Sequence, residues 1–232
     1  MGGMRGTGPL PECDLVLPCK DEAPALERLL PALPDHLHPI VVDNGSRDDT
    51  AATAQRLGAT VVHEEQPGYG AAVHAGLVAA RRDLVAVMDG DGSFDPTDLE
   101  PLLRDVDEGR ADIAVGRRRA ASGADGARAS WPWHARAGNR AVLWWLRRRT
   151  GLPVHDNAPM RVVRREPMLA LGVQARRFGY PVELLQRAHL AGWRFSEHDV
   201  RYLPRAEGTR SKVSGSVRGS LRAARDFARV LV

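Results

Sequence analysis

The chain has few cysteines, few lysines and no long apolar run, and each scarcity excludes something. No stretch of about 18 uncharged apolar residues occurs, so no transmembrane helix is expected. The opening segment, MGGMRGTGPLPE, lacks the apolar core of a signal peptide. Cys13 and Cys19 are the only two cysteines. On one extended strand they would stand ~20 Å apart, six residues at ~3.3 Å each, beyond disulfide reach. A reduced, cytoplasmic protein is the expectation. Only Lys20 and Lys212 are lysines, against 31 arginines. No internal repeat and no Walker A sequence occur. Gly68-Tyr69-Gly70 begins like a dinucleotide fingerprint, but its third glycine position is Val73. Asp89, Asp91, Ser93 and Glu100 fall at positions 1, 3, 5 and 12 of a calcium loop. Position 6 of that loop must be glycine and here is Phe94, and the preceding LVAVM reads as a strand, so a calcium hand is excluded.

What is present is a folded chain of 232 residues, 43% apolar and 27% charged, long enough for one large α/β domain. The formal charge of +4 conceals a division. Residues 1–112 carry 9 basic and 21 acidic side chains, net −12, and residues 113–232 carry 24 and 8, net +16. Such an asymmetry points to two different partners.

Hydrophobic periodicity predicts alternating elements through the first half. Strands are expected at 14–17, 39–43, 60–63, 84–88 and 112–115, and helices over 22–33, 47–57, 70–81 and 96–106. Ser46 reads as the cap of the second helix, with Asp48 and Asp49 in its first turn. Alternation of this kind means a mostly parallel central sheet flanked by helices, whose ligands bind at the C-terminal ends of the strands. Beyond residue 116 the pattern loosens. A polar loop is expected over 117–132, helices over 135–148, 182–191 and 217–232, strands over 160–164 and 193–203, and a basic loop over 205–214. The last helix carries an apolar stripe (Val217, Leu221, Ala224, Ala228, Leu231) beside an arginine stripe, a pattern that packs on the domain or meets anionic headgroups.

Four clusters sit at predicted strand ends: Pro18-Cys19-Lys20-Asp21-Glu22, Asp43-Asn44-Gly45-Ser46, Gly68-Tyr69-Gly70 and Asp89-Gly90-Asp91. Two carboxylates with a glycine between them, after an apolar strand, can face one hard divalent cation that takes its other ligands from phosphates and water. Each cluster alone also reads as a turn or helix start.

In combination they carry a resemblance. LVLPCKDE, IVVDNGSRDDT, GYGAAVHAGL, LVAVMDGDGSFDPTDLEPLL and ADIAVGRR, in this order, resemble family 2 glycosyltransferases of the GT-A fold. NRAVLWWLRRRTGLPVHD, APMRVVRRE and YPVELLQRAHLAGWRFSEHDVRYLPR resemble the dolichyl- and polyprenyl-phosphate sugar synthase branch. The resemblance spans about residues 12–215. It implies one GT-A domain over 12–214, with a nucleotide and metal half (12–116) and an acceptor half (117–214), after a flexible N-terminus (1–11) and before a basic amphipathic helix (215–232).

The resemblance further implies an inverting hexosyltransferase that moves a sugar from a UDP- or GDP-linked donor to a polyprenyl phosphate. Pro18, Lys20, Glu22, Asp43, Gly70, Asp89 and Gly90 would form the nucleotide-sugar site. Asp89 and Asp91 would hold Mg²⁺ or Mn²⁺. Arg117, Arg136, Arg161, Arg205 and Lys212 would face phosphates of donor or acceptor. The sequence departs from that branch where Ala158-Pro159-Met160 replace its Ser-Gly-Phe and where Ser93 stands for a frequent Gln. Asp156 and Glu183 are the candidate catalytic bases should the acceptor be a hydroxyl, because a phosphate is already anionic and needs none. A soluble hydroxyl-bearing acceptor and a non-catalytic nucleotide-sugar-binding module are the alternatives. No nucleic-acid motif appears, so nucleic acid is not an expected partner. Work in the cytoplasm, at the inner face of the membrane when the acceptor is lipid-linked, completes the expectation.

Overall fold

The structure is a computed structural model that describes residues 8–120 and 133–203. The expected flexible N-terminus (largely), the loops carrying Arg205 and Lys212, and the terminal helix lie outside the described residues. Seven strands form one sheet: β1 (Cys13–Cys19), β2 (Leu37–Asp43), β3 (Thr60–His63), β4 (Leu84–Val87), β5 (Ile113–Ala120), β6 (Arg161–Arg164) and β7 (Phe195–Tyr202). Their order across the sheet is β3-β2-β1-β4-β6-β5-β7. All pairs are parallel except those made by β6, which runs against both β4 and β5. The C-terminal ends of the six parallel strands and the start of β6 therefore share one edge.

Strand alternation explains the layers. Leu15, Leu17, Val41 and Ala86 are buried on one face, and Val16, Ile40, Val42, Val85 and Val87 on the other, as side chains of period two require. The first face is covered by α1 (Ala23–Leu29), α2 (Thr50–Arg56) and α4 (Glu100–Asp107). The second is covered by α3 (Tyr69–Ala79), α5 (Trp133–Thr150), α6 (Arg165–Ala170) and α7 (Tyr180–Leu190). This is a single α/β domain. Cys13 and Cys19 are both reduced and buried along β1, as their spacing implies. Among the described residues no helix is long and apolar enough to cross a membrane.

Three differences from the sequence reading have physical causes. The second helix starts at Thr50, not at residue 47. Ser46 does not cap it, because its Oγ accepts a hydrogen bond from the Asp21 N–H at 3.0 Å, while Asp48 accepts from the Thr50 N–H at 3.1 Å. β5 does not stop at residue 115 but continues through Arg117–Arg119, because each of these residues pairs in register with Asp199, Val200 and Arg201 of β7. The boundary expected at 116/117 thus falls inside a strand, and the two halves share one sheet. α6 was not foreseen; Pro167 and its short length hide the helical period.

Candidate active site

At the shared edge the strand ends are tied to one another. The Asn44 N–H donates to the Cys19 carbonyl at 2.9 Å. The Asn44 side chain donates to the carbonyls of Glu64 and Gln66, at 2.9 and 2.8 Å, and accepts from the Gly68 N–H at 2.8 Å. One amide therefore joins the loops after β2 and β3 to the start of α3. Asp43 is half-buried, and its Oδ1 accepts from the Ser46 N–H at 2.9 Å, fixing the carboxylate over the turn. Lys20 Nζ reaches the same turn, 3.8 Å from where a β-carbon on Gly45 would stand. Glu22 is buried behind them, its N–H donating to Thr50 Oγ1 at 2.9 Å. Pro18 is half-buried beside Val42. Pro18, Lys20, Glu22 and Asp43 are thus brought to one end of β1 and β2.

The Asp89-Gly90-Asp91 turn follows β4 at this edge. Gly90 is buried where a side chain would collide with Cys19 Sγ, so a glycine lets the turn lie against the end of β1. Asp91 is 4% exposed, and its Oδ1 accepts from the Ser93 N–H at 3.0 Å, which orients the carboxylate. The Ser93 carbonyl accepts from the Leu203 N–H at 2.9 Å, and Phe94 packs on Tyr202 with ring centroids 5.4 Å apart. The acidic turn is held by the end of β7, more than a hundred residues later. Among the described residues no three His, Cys, Asp or Glu side chains cluster as a metal cage. Two carboxylates on a strand end fit instead a hard cation completed by substrate phosphates and water.

Arg118 stands beside this turn, its guanidinium 5.8 Å from the centre of the Tyr202 ring. It forms a two-pronged pair with Asp156: Nε at 2.8 Å from Oδ2 and Nη2 at 2.6 Å from Oδ1, with the Arg118 N–H adding a third bond at 2.9 Å. Burial pushes the Asp156 carboxyl up, but the Arg118 bonds and charge and the Asn157 N–H outweigh it, and its pKa lies below the ordinary carboxylate value. Arg161 is fully buried between Tyr69 and Tyr180, 5.8 and 5.6 Å from their ring centres. Its Nη1 donates to the Ala158 carbonyl at 2.9 Å and its Nη2 to the Tyr69 hydroxyl at 3.3 Å. Burial raises the Tyr69 pKa; Arg161 and Arg118 oppose that and Asp89 adds to it, which places this hydroxyl among all three charges. Burial likewise pushes Tyr180 up to about 12.

The structure corrects several expected roles. Arg117 does not face the acidic turn. It lies on the opposite face of β5 from Arg118 and pairs with Asp199, its Nε 2.6 Å from Oδ1. Its neighbour Arg118, which the sequence offers only as one of the loop arginines 117–119, is the one that lies against Asp156 and Tyr202. Arg161 has no exposed surface, so it organises Tyr69 and the 158–161 turn and does not offer its guanidinium to an open phosphate. Gly70 has a packing reason: a β-carbon there would stand 2.6 Å from the Ala175 carbonyl and 2.7 Å from Tyr180 Cβ. Arg136 lies on α5, and Arg205 and Lys212 lie outside the described residues.

Both candidate bases are engaged by hydrogen-bond donors. Asp156 is committed to Arg118. Glu183 accepts from the backbone N–H groups of Gln174 and Ala175, at 2.9 and 2.6 Å, and from Arg187 Nε at 2.6 Å. Burial raises its pKa, those bonds lower it further, and the net is below the ordinary value. Glu183 is a loop-pinning carboxylate. Glu183→Gln is expected to leave kcat within about threefold and to cost about 1–2 kcal/mol in urea unfolding, the worth of weakened charged hydrogen bonds. A hundredfold loss of kcat in a variant of unchanged stability would restore it as a base.

The sequence matches the family model described as glycosyl transferase family 2 over residues 14–163. It is 54% identical over 217 residues to an uncharacterized glycosyltransferase of Mycobacterium tuberculosis, covering 94% of this chain and 96% of that protein. It is 32% identical over 194 residues to the polyprenol monophosphomannose synthase of Mycolicibacterium smegmatis, covering 78% of this chain and 71% of that protein. Among solved structures, glucosyl-3-phosphoglycerate synthase of Mycobacterium tuberculosis, in complex with Mn²⁺, UDP and glucosyl-3-phosphoglycerate, is similar with a TM-score of 0.68. The identity is 23%, with 95% of this chain and 78% of that one covered, and the likeness is one of fold.

Proposed function

Because the chain belongs to glycosyl transferase family 2, with the GT-A fold and the family's enzymatic character, we propose that it transfers a sugar from a UDP- or GDP-linked donor to a polyprenyl phosphate of the dolichyl type, with inversion. The relative that makes a polyprenol phosphomannose supports the branch. The observation that carries the acceptor is the state of the two candidate bases. Asp156 and Glu183 are both bound by donors and both held below the ordinary carboxylate pKa. A hydroxyl nucleophile needs a base within about 3 Å of its proton, whereas a phosphate is already anionic near neutral pH and does not.

In this reading Pro18, Lys20, Glu22 and Asp43 receive the nucleoside at the ends of β1 and β2. Asp89 and Asp91 hold Mg²⁺ or Mn²⁺, as the fold neighbour bound to Mn²⁺ and UDP encourages. The cation, when bound, supplies positive charge to the departing diphosphate. Arg118, oriented by Asp156 and braced by Tyr202, aims a second positive charge at the same edge. The acidic half through residue 116 then serves donor and metal, and the basic half serves the acceptor, with Arg136, Arg205 and Lys212 as its remaining phosphate contacts. The place of work is the cytoplasmic face of the membrane.

The test is incubation with radiolabelled UDP- and GDP-sugars, Mg²⁺ or Mn²⁺, and a short-chain polyprenyl phosphate. Label should enter the organic phase with one donor and should stop when EDTA removes the metal. Label that stays aqueous while a soluble hydroxyl acceptor becomes glycosylated overturns the acceptor assignment.

A further inference from the structure

We propose that the outward face of α5 docks on an anionic lipid bilayer and so sets the catalytic edge against a lipid-linked acceptor; this rests on the acceptor reading above. α5 reads WHARAGNRAVLWWLRRRT and contains five arginines and no acidic residue. Its inward face is conventional: Leu143 and Leu146 are buried, and Trp145 packs against the same core. Its outward face is not. Trp144 is 62% exposed, an unusual place for the largest apolar side chain. Arg140, Arg147 and Arg148 lie four, three and four residues from Trp144, so they share that face. The Arg148 guanidinium lies 5.4 Å from the centre of the Trp144 ring.

Among the described residues, no carboxylate compensates the charges on this face, and Arg140, Arg147, Arg148 and Arg149 have no carboxylate partner. Several arginines elsewhere do pair with carboxylates: Arg104 with Glu100, Arg164 with Asp83, Arg194 with Asp112, Arg201 with Asp98. Like charges one turn apart repel, and an opposite charge brought to the face relieves that repulsion. Guanidinium groups around an exposed indole match a bilayer interface, where phosphates meet the cations and the ring sits at headgroup depth. The connection is also apt. α5 follows β5, whose end carries Arg118, and leads back to Asp156 and Arg161 at the same edge. A surface that seats α5 is therefore fixed relative to the acidic turn.

Flotation of the full chain tests this, with vesicles of phosphatidylcholine alone and vesicles containing about 30% phosphatidylglycerol. The protein should float with the anionic vesicles and not with the neutral ones. Arg147→Gln with Arg148→Gln should lower partitioning about 25-fold, about fivefold for each charge removed near the surface. Trp144→Ala should lower it further. These side chains are exposed, so thermal unfolding should be unchanged, and turnover of a water-soluble short-chain polyprenyl phosphate should match the parent. Undiminished flotation of the double variant overturns the docking face. So does a loss of affinity confined to an oligonucleotide, with vesicle binding intact. If the parent chain itself fails to glycosylate the short-chain phosphate, the acceptor reading falls, and flotation still decides the surface on its own.

Discussion

Asp91→Asn is expected to lower kcat on the order of 10³-fold while leaving stability within about 1 kcal/mol. The two effects separate because the side chain has two tasks. Its Oδ1 accepts the Ser93 N–H, and an asparagine Oδ1 accepts the same bond in the same turn. Its negative charge, which asparagine lacks, is what a hard cation requires. Steady-state kinetics with saturating Mg²⁺ or Mn²⁺, beside urea unfolding of both proteins, reads the two tasks independently. Turnover within tenfold of the parent would remove Asp91 from metal binding. A partial recovery at higher Mn²⁺ is the signature of a weakened site, since the second carboxylate, Asp89, remains.

Arg118→Ala is expected to destabilise the protein by about 3–5 kcal/mol at neutral pH, because it leaves the 3% exposed Asp156 carboxylate without its guanidinium. The pH dependence follows from the sign of the shift. In the parent, the Asp156 pKa is depressed by folding, so its contribution is fully present above the unfolded value of about 3.9 and is lost as pH falls through the lower folded value. In the variant, the two backbone N–H groups that bond Asp156 remain, but without the guanidinium burial outweighs them and raises the folded pKa above the unfolded one. The penalty is then greatest at neutral pH and shrinks as the buried carboxyl takes a proton toward pH ~4. Urea midpoints across that range should converge for the two proteins. A difference independent of pH would mean that Asp156 does not depend on Arg118. Activity should fall on the order of 10²-fold in Arg118→Ala. It should stay within about threefold in Arg117→Ala, which faces the other way and loses its ion pairs with Asp199 and Glu197.

The contrast between those adjacent arginines marks how far the sequence could be read. VGRRR shows that basic side chains follow the fifth strand, but which of them faces the site depends on where the strand stops being a loop. That is set by pairing with β7, about eighty residues later. Side chains alternate along a strand, so an error of one residue exchanges the two faces. Asp156 was legible as either a base or an arginine-paired carboxylate, but not which arginine pairs with it. Glu183 looked like a candidate base because nothing near it in sequence announces that the backbone at Gln174 and Ala175 needs an anion. Arg161 looked like a phosphate ligand, since burial between two tyrosines from α3 and α7 has no local signature.

The sequence by itself determined the alternation of strands and helices, the edge of the sheet at which the polar turns gather, and the Asp89-Gly90-Asp91 turn at a strand end. These are written in short-range periodicity and in the adjacency of polar turns to apolar runs, which neighbours in the chain enforce. The tertiary structure alone decided that β6 runs antiparallel, that Arg118 and not Arg117 faces Asp156, that Asp156 and Glu183 are occupied, and that Trp144 faces outward beside arginines with no carboxylate partner among the described residues. Each of these depends on partners that only the folded chain brings together, and no local spacing encodes a hydrogen bond made across the sheet.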